Sequence, residues 1–261
     1  MTWTVNASIM WPDLSPREQV TAVAAAGFSR AEFWWPFAGP VPERTEVDTF
    51  VAALADAGVQ LTGLNFFAGD MAAGERGVLS HPGRSEEFRA NVAAVAEIAR
   101  ATGCRAFNAL HGNRLPGVPH EEQDALAVEN LRWAADAVAP LGGVVLLEPL
   151  SGAPDHPLQT AADALAVIEA VDRDNMKLLA DFYHLAVNGE DVAAVVEAHA
   201  ADFGHIQIAD APGRHEPGTG ELPLLHWVSR ARDLGYAGDV ALEYAPLGED
   251  PFAWLARGGR G

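Results

Sequence analysis

The stretch "VDTFVAALADAGVQLTGLN", residues 47–65, holds one complete unit of the pattern that decides the fold. Its first part is alanine-rich and amphipathic, and it ends at Gly58, a residue type that commonly terminates helices. A short run of mainly apolar residues follows at 59–65 and predicts a strand. The stretch therefore predicts a helix that leads directly into a strand.

The same unit recurs along the chain. Helical patterns such as "PREQVTAVAAAG" and "SEEFRANVAAVAEIARATG" alternate with eight predicted strands, at 3–9, 30–35, 59–65, 105–110, 144–149, 177–182, 205–210 and 240–244. Eight strands alternating with helices are typical of a (β/α)8 TIM barrel, an α/β fold. Because no Gly-, Ser- or Pro-rich linker divides the chain, we expect a single barrel domain over residues 1–261.

One interval is too long for an ordinary connection. Residues 66–84, "FFAGDMAAGERGVLSHPGR", are rich in glycine and show no clear period. Long loops inside compact domains are often functional, so this segment is a candidate active-site lid. A plain surface insertion is the alternative.

Composition narrows the function classes. The net charge of −19 argues against nucleic-acid binding, since such a surface repels phosphate backbones. The lone cysteine, Cys104, has no intrachain partner, and the N-terminus lacks a basic start followed by an apolar run. We therefore expect a cytoplasmic protein with no membrane contact and a small-molecule substrate. The sequence leaves a monomer and a homo-oligomer equally open.

Polar residues stand at the ends of the last four predicted strands. They are Glu148, Asp181, Gln207 and Glu243, separated by 33, 26 and 36 residues, each close to one strand–helix unit. The carboxyl ends of parallel barrel strands form the active-site face, so these side chains should converge there. Side-chain alternation places Gln207 on the same face of its strand as His205.

Three carboxylates crowded at one barrel mouth would repel one another and raise each other's pKa. A divalent cation removes that repulsion, and oxygen ligands of this kind favour Mg²⁺ or Mn²⁺. The four residues therefore predict a metal site. Taken singly, each could instead be a cap, a turn residue or a hydrogen-bonded core amide.

At these residues the sequence resembles the hydroxypyruvate isomerase family of xylose isomerase-like barrels. The resemblance spans nearly the whole chain. It is most specific at six blocks: "GDMAAGERG" (69–77), "PGRSEEF" (82–88), "LLEPL" (146–150), "DFYH" (181–184), "HIQIAD" with the loop after it (205–221), and "LEY" (242–244). It implies Mg²⁺ held by Glu148, Asp181, Gln207 and Glu243. The segments "SGAPDHPLQT" (151–160) and "LHGN" (110–113) depart from the family pattern.

The resemblance also implies an activity, the interconversion of hydroxypyruvate and tartronate semialdehyde. Glu148 and Glu243 match the family's proton-transfer pair, and an enediolate would lie between the two steps. His184 and Arg214 match positions that touch substrate in related sugar epimerases, and Arg76 in the long loop is a further candidate for binding substrate.

Several alternatives share the fold. A 2-oxo-tetronate isomerase, a keto-sugar 3-epimerase and a non-catalytic sugar-binding barrel all remain open. A Schiff-base aldolase would need a lysine at the barrel mouth, and the only lysine, Lys177, lies four residues before Asp181, about 13 Å below it. Four polar residues near the first four strand ends could line the pocket, but we interpret each as a structural polar group: Asn6, Glu32, Asn65 and His111. Trp34 and Trp35 are candidates for one pocket wall.

Overall fold

The computed structural model describes residues 2–258 and shows eight parallel strands, each hydrogen-bonded to the next and the last to the first. The strands are β1 Trp3–Asn6, β2 Arg30–Phe33, β3 Gln60–Asn65, β4 Ala106–Asn108, β5 Val144–Leu147, β6 Met176–Asp181, β7 Phe203–Ile208 and β8 Val240–Leu242. The predicted single-domain TIM barrel is confirmed, and each strand lies within its predicted range or extends at most two residues beyond it.

Helices connect the strands and surround the barrel. They are α1 Ala7–Met10, α2 Pro16–Ala25, α3 Arg44–Ala57, α4 Ser85–Thr102, α5 His120–Val138, α6 Ala161–Val171, α7 Phe182–Val187, α8 Val192–His199, α9 Leu224–Asp233 and α10 Ala253–Gly258. Across residues 2–258, none of these helices combines the length and apolarity needed to cross a membrane.

The first strand is shorter than the sequence predicts. Residues 7–9, expected to continue the strand, begin helix α1 instead. The side-chain oxygen of Asn6 accepts a hydrogen bond from the backbone N–H of Ile9 at 3.2 Å. This N-cap turns the chain into a helix as soon as it leaves the barrel wall.

Residues alternate between the barrel interior and the helices. On β7, Ile206 and Ile208 belong to the main hydrophobic core, whereas His205 and Gln207 both bond to Glu32 inside the barrel. The predicted parity of β7 is thus confirmed. The outward residues make the apolar layer, and the inward positions are free to carry polar groups.

The long segment 66–84 divides into two parts. Residues 78–81 are buried, and Gly77 packs so closely that a Cβ there would lie 2.0 Å from the carbonyl oxygen of Leu110. The tip at 72–74 is exposed. The second part is therefore fixed to the barrel, while closure of the first part over a substrate stays a prediction.

Neither Lys177 nor Cys104 is placed for nucleophilic chemistry. The Lys177 ammonium donates to the backbone oxygen of Ala201 at 3.5 Å, near the start of β6 and away from the strand ends. Cys104 is buried, and burial raises the pKa of its thiol to about 12. A neutral, inaccessible thiol is a poor nucleophile.

Candidate active site

A cavity of about 160 Å³ opens at the carboxyl ends of the strands. Its polar lining includes Asn65, Arg76, Glu148, His184, Arg214 and Glu243. All three residues predicted to touch substrate therefore line one cavity, together with both predicted proton-transfer glutamates. Asp181 and Gln207 lie beneath it and are almost completely buried.

Glu148 follows directly after β5. Its Oε2 accepts a hydrogen bond from Asn108 Nδ2 at 2.7 Å, and its Oε1 lies 3.8 Å from His184 Nε2. Burial, and then the nearby charges of Glu243 and Asp181, raise the pKa of Glu148 well above its ordinary value. One oxygen is thus held by the barrel and the other faces the cavity.

Glu243 follows β8 and is held in the same way. Its Oε1 accepts from Asn6 Nδ2 at 2.9 Å and from Trp34 Nε1 at 2.8 Å. Its Oε2 accepts a hydrogen bond from Arg214 Nη2 at 2.5 Å. Burial raises the pKa of Glu243 to about 8, because the opposing effect of Arg214 is too small to cancel it.

Asp181 ends β6 and caps α7. Its Oδ1 accepts from the backbone N–H groups of Tyr183 at 2.8 Å and His184 at 3.3 Å, as an N-cap does. Its Oδ2 lies 3.3 Å from Arg214 Nη2 and 3.5 Å from His184 Nε2. The cap fixes the carboxylate so that its second oxygen points towards these side chains.

Gln207 is a carboxamide between two core isoleucines of β7, Ile206 and Ile208. Its Nε2 donates to Glu32 Oε1 at 2.7 Å, while its Oε1 is buried and has no hydrogen-bond partner within residues 2–258. A buried unpaired amide oxygen is costly and usually signals a missing partner. A cation would satisfy it.

In each of the four predicted ligands one side-chain atom is held by a strand-end residue or a helix cap. The second oxygen of Glu148 faces His184, those of Asp181 and Glu243 accept from Arg214, and that of Gln207 has no partner within residues 2–258. The four ligands do not all converge equally. One ligand atom each from Glu148, Asp181 and His184 lie within 4.8 Å of one another, but Glu243 is outside this group. Glu243 and Asp181 are instead bridged by the guanidinium of Arg214.

His184 is oriented as a hydrogen-bond donor. Its Nδ1 accepts from the backbone N–H of Ser151 at 3.0 Å, so the proton of the neutral ring resides on Nε2. Burial lowers the pKa of His184 to about 4, so the ring is neutral at physiological pH. In this tautomer Nε2 has no lone pair for a metal, and the side chain is better suited to donating to a substrate oxygen.

The two candidate substrate arginines are positioned differently. Arg76 Nη1 donates to the backbone oxygens of Met71 at 3.0 Å and Glu75 at 2.7 Å, which fixes the side chain within its own loop. Arg214, expected to meet the substrate, uses Nη2 on Asp181 and Glu243. Its buried Nε has no partner within the described residues and remains free to donate.

Sequence reasoning overlooked the groups that hold these carboxylates. Asn108 was not singled out, and Asn6 and Glu32 were interpreted as structural groups, yet all three lie in the network around the site. Trp34 was expected only as a wall, and it also donates to Glu243. The sequence did contain a signal for the two asparagines. Asn6 and Asn108 are the last residues of β1 and β4, and the predicted ligands likewise lie at the ends of later strands.

Known proteins are similar to this chain over almost its whole length. Residues 20–257 match the family model described as xylose isomerase-like TIM barrel. A Streptomyces coelicolor protein provisionally named a hydroxypyruvate isomerase is 49% identical, covering 99% of this chain and 96% of that protein. The Escherichia coli hydroxypyruvate isomerase is 34% identical over 94% of each chain.

Two further relatives carry other names. A 2-oxo-tetronate isomerase of Haemophilus influenzae is 32% identical, covering 95% of this chain and 94% of that protein. The crystal structure of an AP endonuclease, family 2, from Brucella melitensis superposes with a TM-score of 0.88 at 33% identity, covering 98% of both chains.

Proposed function

The chain belongs to the hydroxypyruvate isomerase family of xylose isomerase-like TIM barrels, and from that premise we propose that it is a divalent-metal-dependent isomerase that interconverts hydroxypyruvate and tartronate semialdehyde. The observation that supports this most is the arrangement of Glu148, Asp181, Gln207 and Glu243. Each has one side-chain atom held by the protein. Of the second oxygens, those of Asp181 and Glu243 face the cationic guanidinium of Arg214, and that of Gln207 has no partner within residues 2–258.

The residues present fit a bound Mg²⁺ or Mn²⁺. The donor set consists of carboxylate and amide oxygens, which these ions prefer, and the amide oxygen of Gln207 is otherwise orphaned. Burial, and then repulsion by neighbouring carboxylates, raise the pKa of Glu148 and Glu243, a cost that a cation would offset. When bound, the ion would supply Lewis-acid stabilisation to the substrate oxygens.

The two glutamates are suited to proton transfer. Glu148 and Glu243 lie on strand ends three strands apart. Glu148 has its Oε1 near His184, and Glu243 has its Oε2 on Arg214, while their other oxygens are held by the barrel. One removes a proton from the carbon next to the substrate carbonyl, and the other returns a proton to the neighbouring carbon. His184 Nε2–H donates to the oxygen on which negative charge develops.

The cavity favours a small acid. At about 160 Å³ it is smaller than the pockets of 300–1,000 Å³ that hold drug-sized ligands. Two arginines, Arg76 and Arg214, line it in a protein of net charge −19, which concentrates positive charge where a substrate carboxylate would lie. A three-carbon keto acid meets both features, and a neutral six-carbon sugar meets neither.

A four-carbon 2-oxo-tetronate is the second candidate substrate, since a relative of that name matches almost the whole chain. An endonuclease, the name of the Brucella melitensis structure, does not suit a chain with 36 acidic and 17 basic residues.

The direct test is an assay of the purified protein with hydroxypyruvate, a 2-oxo-tetronate and a ketohexose, each with EDTA, Mg²⁺ or Mn²⁺. We expect the highest kcat/KM on hydroxypyruvate and activity only with metal. Preference for the four-carbon acid would shift the substrate assignment, and equal turnover in EDTA would contradict the metal proposal.

Replacing Arg76 with alanine should act on binding. Losing a charge-assisted hydrogen bond worth about 1.5–3 kcal/mol would raise KM for hydroxypyruvate about 10- to 100-fold. The value of kcat should change far less, because Arg76 contacts neither glutamate within the described residues. Steady-state kinetics separate the two constants.

Arg114→Ala is the matched control, since this arginine lies on the same barrel face and pairs with Asp124 at 2.7 Å without lining the cavity. Its KM should equal that of the wild type. An unchanged KM in Arg76→Ala would remove Arg76 from the substrate site.

Stabilisation by metal should grow with pH. The pKa of Glu243 is about 8 in the metal-free fold against an ordinary value of 4.5. The raised pKa means that its contribution to stability is fully present below pH 4.5 and is lost as pH rises towards 8. Because the ligands must ionise to bind a cation, added Mn²⁺ should restore more stability at high pH.

Differential scanning calorimetry at pH 5 and pH 8, with and without Mn²⁺, measures this effect. At a Mn²⁺ concentration of about 100 times Kd, binding raises the free energy of unfolding by about 2.7 kcal/mol. This corresponds to a rise in melting temperature of about 5–10 °C for a chain of this size. We expect that increment at pH 8 and a much smaller one at pH 5. Equal increments at both pH values would contradict the expectation.

A further inference from the structure

Beneath the cavity, a fully buried carboxylate spans the barrel interior. Glu32, on β2, is only 4% exposed, and its Oε2 lies 2.6 Å from His205 Nε2 on β7, three strands away around the barrel. Although burial alone would raise the pKa of Glu32, His205 and two side-chain amides lower it below the ordinary value. A buried charge of this kind persists only when it is fully paired.

The backbone leaves room for this side chain. Glu32 is in register with Gly63 on β3, and a Cβ at Gly63 would lie 3.1 Å from Glu32 Cβ and 3.3 Å from its Oε2. Contacts this short would require the Glu32 side chain to shift by a few tenths of an ångström. The lack of a side chain at position 63 therefore leaves room for Glu32 as it is placed.

The other oxygen of Glu32 is a shared acceptor. Glu32 Oε1 accepts from Gln207 Nε2 at 2.7 Å and from Asn6 Nδ2 at 2.9 Å. Because the carboxylate can only accept, it forces the amide nitrogen of Gln207 towards itself. The amide oxygen of Gln207 is thereby turned away from Glu32, and it is this oxygen that has no partner within residues 2–258.

Asn6 links Glu32 to Glu243 through hydrogen bonds and so orients Glu243 as well. Its Oδ1 accepts from the backbone of Ile9, so Nδ2 is the only end that can donate. One Nδ2 hydrogen goes to Glu32 and the other to Glu243 Oε1 at 2.9 Å. The acceptor Glu32 thus fixes one ligand amide directly and one ligand carboxylate through a single residue.

We propose that Glu32 is a positioning residue: as a hydrogen-bond acceptor it sets which oxygens Gln207 and Glu243 present to the cation. The inference rests on the proposed metal site. Groups that orient metal ligands are typically worth about 10- to 100-fold in metal affinity, although they never touch the ion.

Two conservative substitutions of Glu32 separate the effect of side-chain length from the effect of charge. Glu32→Gln loses the charge but keeps the length, so its oxygen can still accept from Gln207 and Asn6 while its nitrogen faces His205. Glu32→Asp keeps the charge but withdraws the acceptor by one methylene. We expect the Kd for Mn²⁺ alone, measured by calorimetric titration of the full chain, to rise about 10- to 100-fold in Glu32→Asp and less than about threefold in Glu32→Gln.

Thr62→Val is the matched control. Thr62 is a buried polar residue inside the barrel that bonds to Thr4 at 3.1 Å and to the backbone of Ala31 at 3.0 Å, with no contact to Gln207. It should lower the melting temperature of the metal-free protein yet leave the Kd for Mn²⁺ within about twofold, because ligand orientation and general stability are separate.

The outcomes are distinct. A wild-type protein that binds no Mn²⁺ overturns the proposed metal site and this inference with it. Wild-type binding that Glu32→Asp leaves unchanged overturns the inference alone. The reverse order, with Glu32→Gln the weaker binder, would show that charge and not reach is what matters, and would also overturn it.

Discussion

Glu148→Gln and Glu243→Gln are each expected to lower kcat by at least about 10²- to 10⁴-fold, the usual contribution of a positioned acid or base. Each change removes both a proton-transfer group and a charged oxygen from the cavity. Glutamine keeps the size of the side chain and can still accept from Asn108 or from Trp34 through its remaining oxygen. The fold should therefore survive, and the loss should be chemical.

Exchange of solvent deuterium into substrate, followed by NMR, identifies which step fails. A variant that retains exchange but forms no product has kept the first proton transfer and lost the second. Glu190→Gln is the control, since this glutamate accepts from the backbone of Ala161 and lies outside the cavity. Near-normal turnover in Glu148→Gln or Glu243→Gln would remove that residue from the mechanism.

Asp181→Asn should weaken metal binding by about 100-fold or more, beyond the cost of a group that only orients a ligand. Asparagine is as good an N-cap as aspartate, so Oδ1 can still accept from Tyr183 and His184 and α7 should form. The change replaces Oδ2 with a nitrogen that cannot bind a cation. Activity at low Mn²⁺ should vanish, and excess Mn²⁺ should restore part of it.

The metal-free melting temperature tells the two roles of Asp181 apart. It should shift by no more than about 2–4 °C, the equivalent of 1 kcal/mol in a chain of this size. Asp191→Asn is the matched control, because Asp191 caps α8 by accepting from Ala194 at 3.2 Å and is exposed. An Asp181→Asn protein that binds Mn²⁺ like the wild type would limit Asp181 to capping.

The strand–helix alternation was predictable because its signals are local. Each strand lies within or within two residues of its predicted range, since apolar runs and terminal glycines act over a few neighbouring residues. The exception is instructive. Residues 7–9 resemble a strand in composition, but the Asn6 cap, a single side-chain hydrogen bond, makes them helical.

The candidate ligands were also within reach of sequence reasoning. Glu148, Asp181, Gln207 and Glu243 recur at strand ends with the spacing of one strand–helix unit, and the barrel places such ends on one face. Asn108 and Asn6 occupy equivalent ends, but asparagine alone does not reveal whether it holds a carboxylate or caps a helix. Asn6 does both.

By itself, then, the sequence determined the barrel, the parity of its strands and which carboxylates and amide reach its mouth, because periodicity and spacing are properties of the chain read in order. Only the tertiary structure decided which atom of each group is held. Glu32 is held by His205 and Gln207, which lie 173 and 175 residues away in the sequence, and Glu243 is held by Asn6, which lies 237 residues away. Those choices depend on which donors meet across the closed barrel. Barrel closure brings them together in space, whatever their separation in the chain.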